Sequence, residues 1–162
     1  MNTRGFTLIE ALIAVALVGI AIVSLLAANV AFTAANGAGA DLSTAEFLIE
    51  QIRELTTALP VVEPNTATAT FGPEPDEATL AAYDDLDDFD DKSFSPPISA
   101  DRAVLTDFAG FTQQITVQNV DPKDFEVVVA DLGSPFIRVT VKVFLNSKEI
   151  CSTSWIRAGY EW

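Results

Sequence analysis

The sequence predicts an α+β protein in which a long N-terminal helix packs on a small antiparallel β-sheet. An apolar N-terminal run continues into a stretch with helical spacing of its apolar residues, and segments near the C-terminus alternate apolar with polar residues. Residues 11–36 carry no charged side chain, whereas nearly all acidic residues lie from residue 41 onward. The chain therefore combines an apolar arm with an acidic body.

Length and composition exclude several functional classes. A chain of 162 residues accommodates one modest domain with an attachment. A formal charge of −14 with only 9 Lys and Arg argues against a nucleic-acid partner, since phosphate binding uses clustered basic residues. Without histidine, and with Cys151 as the single cysteine, no Cys/His zinc site, His-based triad or internal disulfide is possible. We expect a non-enzyme in which Cys151 is a small buried apolar residue.

The N-terminal arm is long enough to cross a membrane. Residues 6–32 are apolar apart from Glu10, and a helix of about 20 such residues spans a bilayer core. A secretory signal is the first alternative, with a cut near Ala27-Ala28-Asn29, but its apolar region is usually only about 7–15 residues long. A plain anchor is the second alternative. Glu10 argues against it, because a carboxylate in hydrocarbon is costly and normally has a dedicated partner.

The residues around Glu10 also resemble a known processing signal. The sequence RGFTLIEA at residues 4–11 resembles the class III signal of type IV prepilins and type II secretion pseudopilins. The resemblance implies that prepilin peptidase cuts between Gly5 and Phe6 on the cytoplasmic side and N-methylates Phe6. It also implies that the Glu10 carboxylate meets the methylated amine of a neighbouring subunit. Such a buried pair would be strongly destabilised by loss of its partner, so Glu10 can set axial register.

Location and partners follow from the same signal. Arg4 precedes the apolar run and favours a cytoplasmic N-terminus. We therefore expect a single-pass protein of the bacterial inner membrane with an extracytoplasmic body, later part of a pilus or periplasmic filament. The implied partners are other pilins or pseudopilins, prepilin peptidase, the inner-membrane assembly platform and membrane lipid.

A second helical segment follows the arm. Gly37 and Gly39 each cost a helix about 1 kcal/mol relative to alanine, so a flexible or melted joint is expected there. Beyond them, apolar residues recur every three or four positions up to Pro60, which is expected to end the helix: Leu42, Ala45, Leu48, Ile49, Ile52, Leu55 and Leu59. A coiled coil is the alternative, but the stretch is under about three heptads. The predicted segments are a leader at 1–5, a transmembrane or filament-core helix at 6–35, an amphipathic helix at 36–59 and a body at 60–162.

The body is predicted to be a sheet of about four antiparallel strands. Alternation marks three segments, 111–120, 125–129 and 137–145, and a fourth strand is expected at 150–156 after a turn. The last two are expected to form a hairpin through a turn at residues 146–149. The chain between Pro60 and Tyr83 is expected to be a loop with a short helix starting near Asp76.

The acidic loop at residues 83–92 has two interpretations. Aspartates at close spacing can converge on calcium, which takes several oxygen ligands, and the candidate ligands are Asp84, Asp85, Asp87, Asp88, Asp90 and Asp91. The other interpretation is a solvated loop anchored by Tyr83, Leu86 and Phe89. The spacing does not fit an EF-hand. Calcium is the only cofactor that the sequence suggests.

The acidic run carries a second resemblance. It is similar to an aromatic-Asp-Asp-x-Asp-Asp-aromatic pattern of minor pilins of the mannose-sensitive haemagglutinin (MSHA) type, although Asp90-Asp91-Lys92 stands where that pattern is followed by glycine. The resemblances together imply a minor pilin or pseudopilin, a structural subunit of a type IV pilus or type II secretion-like filament. The alternative is a membrane-anchored extracytoplasmic binding protein whose acidic loop captures calcium or a partner.

Overall fold

The structure, a computed structural model, describes residues 5–61 and 70–159. Arg4, and with it the prediction of its topological role, lies outside the described residues. The chain divides into two compact units, Met1–Ala40 and Asp41–Trp162. Its regular elements confirm the α+β prediction: α1 (Leu8–Thr57), β1 (Lys92–Phe94), β2 (Phe111–Asp121), β3 (Asp124–Val128), β4 (Phe136–Leu145) and β5 (Lys148–Ala158), with 3-10 turns at Asp87–Phe89 and Thr106–Phe108.

Helix α1 continues through the two glycines where a joint was expected. Gly37 and Gly39 are helical, and a Cβ at either position would meet nothing within 4 Å. The penalty of the two glycines, about 1 kcal/mol each, is opposed by the neighbouring residues 34, 35, 38 and 40, which are all alanine, the best helix former. The melted joint is therefore not observed.

The C-terminal end of α1 is held by a strand residue. The helix ends at Thr57, two residues earlier than predicted. The guanidinium of Arg157 in β5 donates hydrogen bonds to the carbonyls of Thr56, at 2.5 Å, and Leu59, at 3.1 Å. Because the last carbonyls of a helix have no partner within it, these contacts fix the point where the chain leaves the helix.

The core of the second unit lies between the last turns of α1 and one face of the sheet. The helix contributes its predicted apolar stripe, of which five residues are at most 5% exposed: Ala45, Leu48, Ile49, Ile52 and Leu55. The sheet contributes the odd-numbered residues of β2 and β4, because successive strand residues point to opposite faces. Ile115 pairs with Val141 and Val117 with Val139, and all four are at most 1% exposed. Cys151 is half-buried against this core.

Among the described residues, the antiparallel sheet has five strands, where about four were predicted. Its order is β1-β2-β4-β5, and β3 pairs with β2. The missed strand, β1, has only three residues, too few to show alternation. The expected helix near Asp76 is wrong, because the described residues of that loop form turns, such as the one closed by the Glu77 N–H and the Glu74 carbonyl at 2.9 Å.

The predicted C-terminal hairpin is confirmed with a tighter turn. Leu145 pairs with Lys148, so the loop consists of Asn146 and Ser147 alone. Both have positive φ, 49° and 68°, as a type I′ turn requires. The turn therefore fixes the register of β5 against β4.

Gln113 connects the core elements through a buried side chain. Its Nε2 donates to the carbonyls of Leu48, at 2.8 Å, and Ile98, at 3.1 Å, while its Oε1 accepts from the Ile98 N–H at 2.8 Å. This amide joins α1, β2 and the segment after β1. A buried amide is stable only when it is hydrogen-bonded in this way.

Candidate functional site

The acidic run is folded into the body instead of lying free in solvent. Leu86 and Phe89 are fully buried, and Tyr83 packs edge-on against the Phe89 ring with centroids 5.3 Å apart. Because these apolar side chains are buried, neighbouring aspartates are buried with them. Of the six predicted calcium ligands, Asp84 and Asp91 are exposed and Asp90 is half-buried, whereas three are at most 1% exposed: Asp85, Asp87 and Asp88. The interpretation as a solvated loop is therefore wrong for those three.

Several of these carboxylates accept backbone hydrogen bonds. Asp88 Oδ2 accepts from the N–H groups of Asp84, at 3.0 Å, and Asp85, at 3.2 Å. Asp87 Oδ2 accepts from Gly72 at 3.0 Å. Asp90 Oδ1 accepts from Val117 in β2 at 2.7 Å. The run is thus tied to itself, to the preceding loop and to the sheet.

Glu74 and Glu77, which the sequence analysis did not select, lie beside the run. One carboxylate oxygen each from Glu74, Glu77 and Asp88 lie within 4.8 Å of one another. We call these three residues the carboxylate cluster. Glu74 and Glu77 lie on a turn in which the Glu74 N–H donates to Glu77 Oε2 at 3.2 Å. The available signal was the Glu-x-x-Glu spacing just before the aspartates, but only the fold brings the two segments together.

The electrostatics of this region reflect uncompensated burial. Burial, reinforced by the carboxyl of Asp87, raises the pKa of Asp85 to about 8. Burial, reinforced by Glu77, raises the pKa of Asp88 to about 7. Burial likewise raises the pKa of Glu74, with a contribution from Glu77. Burial opposes ionisation of Glu77 as well, but hydrogen bonds to Asp88 and to the Glu74 backbone lower its pKa. Like charges in a buried site disfavour full ionisation.

The N-terminal segment begins with an exposed, non-helical stretch. Gly5 and Phe6 precede the helix, the Phe6 side chain is 89% exposed, and nothing lies within 4 Å of a Cβ built on Gly5. The predicted processing bond therefore joins two residues outside regular secondary structure.

Glu10 belongs to a capping box at the start of α1. Its Oε2 accepts hydrogen bonds from the Thr7 N–H at 3.1 Å and from Thr7 Oγ1 at 3.0 Å, and the Glu10 N–H donates to Thr7 Oγ1 at 3.3 Å. This reciprocal arrangement satisfies N–H groups that a helix start otherwise leaves unpaired. Both donors to the carboxylate are neutral, so they orient Glu10 without balancing its charge.

The first turns of α1 expose an apolar surface on all sides. The large apolar side chains from Phe6 to Phe32 are between 53% and 89% exposed. The helix is long and apolar enough to cross a membrane, and side chains of this kind are stable in lipid or against other apolar helices. These properties fit membrane anchoring.

Residues 1–26 match the family model described as the prokaryotic N-terminal methylation motif. The N-terminus is a type IV prepilin-like signal. Gly5, Phe6, Thr7 and Glu10 all lie within the matched residues. No curated protein and no solved structure matches the chain.

The prepilin-like signal indicates a type IV pilin-like substrate of prepilin peptidase. The family that the motif describes is a structural one. The MSHA subtype, which rests on the acidic run beyond the matched residues, stays a prediction.

Proposed function

We propose that the protein is a minor pilin or pseudopilin, a structural subunit of a type IV pilus or type II secretion-like filament. The observation that carries this proposal is the methylation motif on an apolar helix whose side chains are exposed on every face. In the proposed pathway, prepilin peptidase removes residues 1–5 and methylates the new N-terminus at Phe6. The helix then passes from lipid into contact with the helices of neighbouring subunits.

Glu10 has a defined part in this proposal. The capping box holds its carboxylate at the first turn of α1, close in sequence to the amine that processing creates at Phe6. That amine, on a neighbouring subunit, supplies the positive charge that the Thr7 donors lack. An ion pair inside an apolar filament core would favour one axial register, because shifted registers leave both charges unpaired.

The acidic body is proposed to lie outside the cytoplasm. The apolar arm spans the inner membrane, and the assembly platform and other pilins act on the inserted subunit. This placement fits the positive-inside rule, because a basic residue precedes the span and the strongly acidic part of the chain follows it.

Processing at the signal can be tested with matched glycine variants. Co-expression with prepilin peptidase should convert the wild-type chain to a shorter form, whereas Gly5→Val should remain full-length because a branched side chain occupies the position before the cut. Gly37→Val makes the same change in α1 and should be processed normally. Equal processing of Gly5→Val and wild type, scored by mobility on gels, would argue against a cut at Gly5.

Filament membership needs a separate test. We expect the tagged protein to co-sediment with sheared surface filaments or with a periplasmic pseudopilus, and deletion of its gene to reduce either surface pili or secreted enzymes. The first loss indicates a pilin and the second a pseudopilin. A protein that stays entirely in the membrane fraction, in cells that assemble both structures normally without it, would instead be an anchored binding protein.

A further inference from the structure

The carboxylate cluster brings together three acids from two segments of the body. The turn supplies Glu74 and Glu77, and the 3-10 turn of the acidic run supplies Asp88. Since the three oxygens lie within 4.8 Å of one another, some point is at most about 2.8 Å from all of them (4.8 Å divided by √3). Calcium–oxygen distances are about 2.3–2.6 Å, so small side-chain movements would complete the coordination.

Buried oxygens without a hydrogen-bond partner point independently to a ligand. Asp88 is 0% exposed, and one of its carboxylate oxygens lies within 4.8 Å of a Glu77 carboxylate oxygen. Its Oδ2 accepts hydrogen bonds from two backbone N–H groups, whereas its Oδ1 is buried and has no hydrogen-bond partner. Both Oε atoms of Glu74 are also buried without a partner. Buried polar atoms in folded proteins nearly always have a partner. An oxygen-binding species is therefore expected at this position.

The chain's own cations do not fill this role. Among the residues that the structure describes, no salt bridge involves the cluster. The nearby cations are used elsewhere: Lys92 lies 5.6 Å from the centroid of the Tyr83 ring, and Arg102 donates to the carbonyls of Leu80 and Ala81. Of the nine Lys and Arg residues, only Arg4 is outside the described part of the chain, and it belongs to the leader. The charge of the cluster can therefore be balanced by protonation or by a cation from outside the chain.

We propose that Glu74, Glu77 and Asp88 bind one calcium ion that holds the Glu74–Glu77 turn against the acidic run. All three ligands offer hard carboxylate oxygens, with no imidazole or thiolate in the cluster, which disfavours zinc and other borderline metals. A few carboxylate oxygens completed by water suit the irregular coordination of calcium better than the strict octahedron of magnesium. We expect an affinity in the range of extracellular modules, about 10⁻⁴–10⁻³ M.

This ligand set differs from the one that the acidic run alone suggested. Asp84 and Asp91 are exposed and Asp90 is bonded to β2, so the proposed ligand set leaves them out. Asp84 and Asp91 therefore provide controls, because substituting either one removes a charge from the acidic run without removing a proposed ligand.

The test is calcium titration of the full-length protein in detergent micelles, by calorimetry and by thermal melting followed through tryptophan fluorescence. At calcium about a hundredfold above Kd, the melting temperature should rise by about 5–10 °C relative to chelator. Glu74→Gln should weaken Kd at least tenfold. It removes a charge without removing any hydrogen bond of that side chain, so the fold should be intact. Asp88→Asn should weaken binding similarly while raising the melting temperature in chelator, because it relieves repulsion between buried carboxylates.

The controls decide which residues are ligands. Asp84→Asn and Asp91→Asn each remove one negative charge from the acidic run and should keep the calcium Kd within about twofold of wild type. Asparagine tolerates the positive φ of Asp91, 52°, so the backbone there should not change. The proposal is overturned if calcium neither binds nor shifts the wild-type melt, or if magnesium binds as tightly as calcium. It also fails if these controls weaken binding as much as Glu74→Gln.

Discussion

At the residue scale, Glu10 has an observed capping role and a proposed pairing role, and different substitutions can separate the two. As the N3 residue of the capping box it satisfies the Thr7 N–H, and as a charge in an apolar segment it is expected to pair with the methylated Phe6 amine of a neighbour. Glutamine can serve in a capping box as glutamate does, but it cannot form an ion pair. The two roles therefore predict different behaviour for the same variants.

We expect filament incorporation to depend on the charge. Glu10→Gln keeps the cap and loses the charge, and it should be incorporated as poorly as Glu10→Ala. Thr7→Ala keeps the charge, removes the hydroxyl that caps α1, and should be incorporated nearly as well as wild type. The measurement is the amount of each variant in sheared filaments at equal membrane levels. Normal incorporation of Glu10→Gln would assign Glu10 a capping role only.

Gln113 was not selected from the sequence, although it shares the core-facing, odd-numbered positions of β2 with Ile115 and Val117. Gln113→Leu would leave the Ile98 N–H and carbonyl without partners, and should lower the free energy of unfolding by ~1–3 kcal/mol. The matched control is Gln114→Leu, at the next and exposed position, which should change it by less than ~0.5 kcal/mol. Urea denaturation of the micelle-bound protein checks both. Equal effects would show that the Gln113 bridge does not stabilise the fold.

At the element scale, most of the architecture could be predicted from residue patterns, but the acidic run could not. β2 and β4 alternate clearly, β5 follows from the turn before it, and the apolar stripe from Ala45 to Leu55 is buried as its spacing indicates. In the acidic run, the expectation that charged side chains are exposed was wrong. Leu86 and Phe89 are core residues, so the aspartates next to them in the sequence are buried as well. Contacts between segments, such as Glu77 with Asp88, leave no local pattern.

The β4–β5 hairpin provides a prediction at the same scale. Ser147 adopts φ of 68°, a region that costs a residue with a Cβ about 1–2 kcal/mol, while asparagine followed by glycine is the preferred type I′ pair. Ser147→Gly should therefore stabilise the protein by up to about 1 kcal/mol. Ser152→Gly, at an exposed position within β5, should destabilise it by about 0.5–1 kcal/mol. The urea midpoints report both, and a loss of stability in Ser147→Gly would contradict the assigned turn.

At the scale of the whole molecule, charge and hydrophobicity are separated along the chain. Asp41–Trp162 holds 22 of the 23 acidic and 8 of the 9 basic residues, a net charge of −14 (8 − 22), whereas the first 40 residues are neutral overall. This separation was visible in the sequence and matches the division into two compact units. It suits a subunit whose arm packs in an apolar core while its acidic body stays hydrated.

The central claim is that the N-terminal signal is cut between Gly5 and Phe6 and that the new terminus is methylated. Intact-mass and N-terminal fragment analysis of the protein, isolated from cells that contain prepilin peptidase, tests it most directly. We expect a mature chain that begins at N-methylated Phe6, and the unprocessed precursor in cells without the peptidase. A chain that retains Met1 in the presence of the peptidase, or one cut near Ala28, would contradict it.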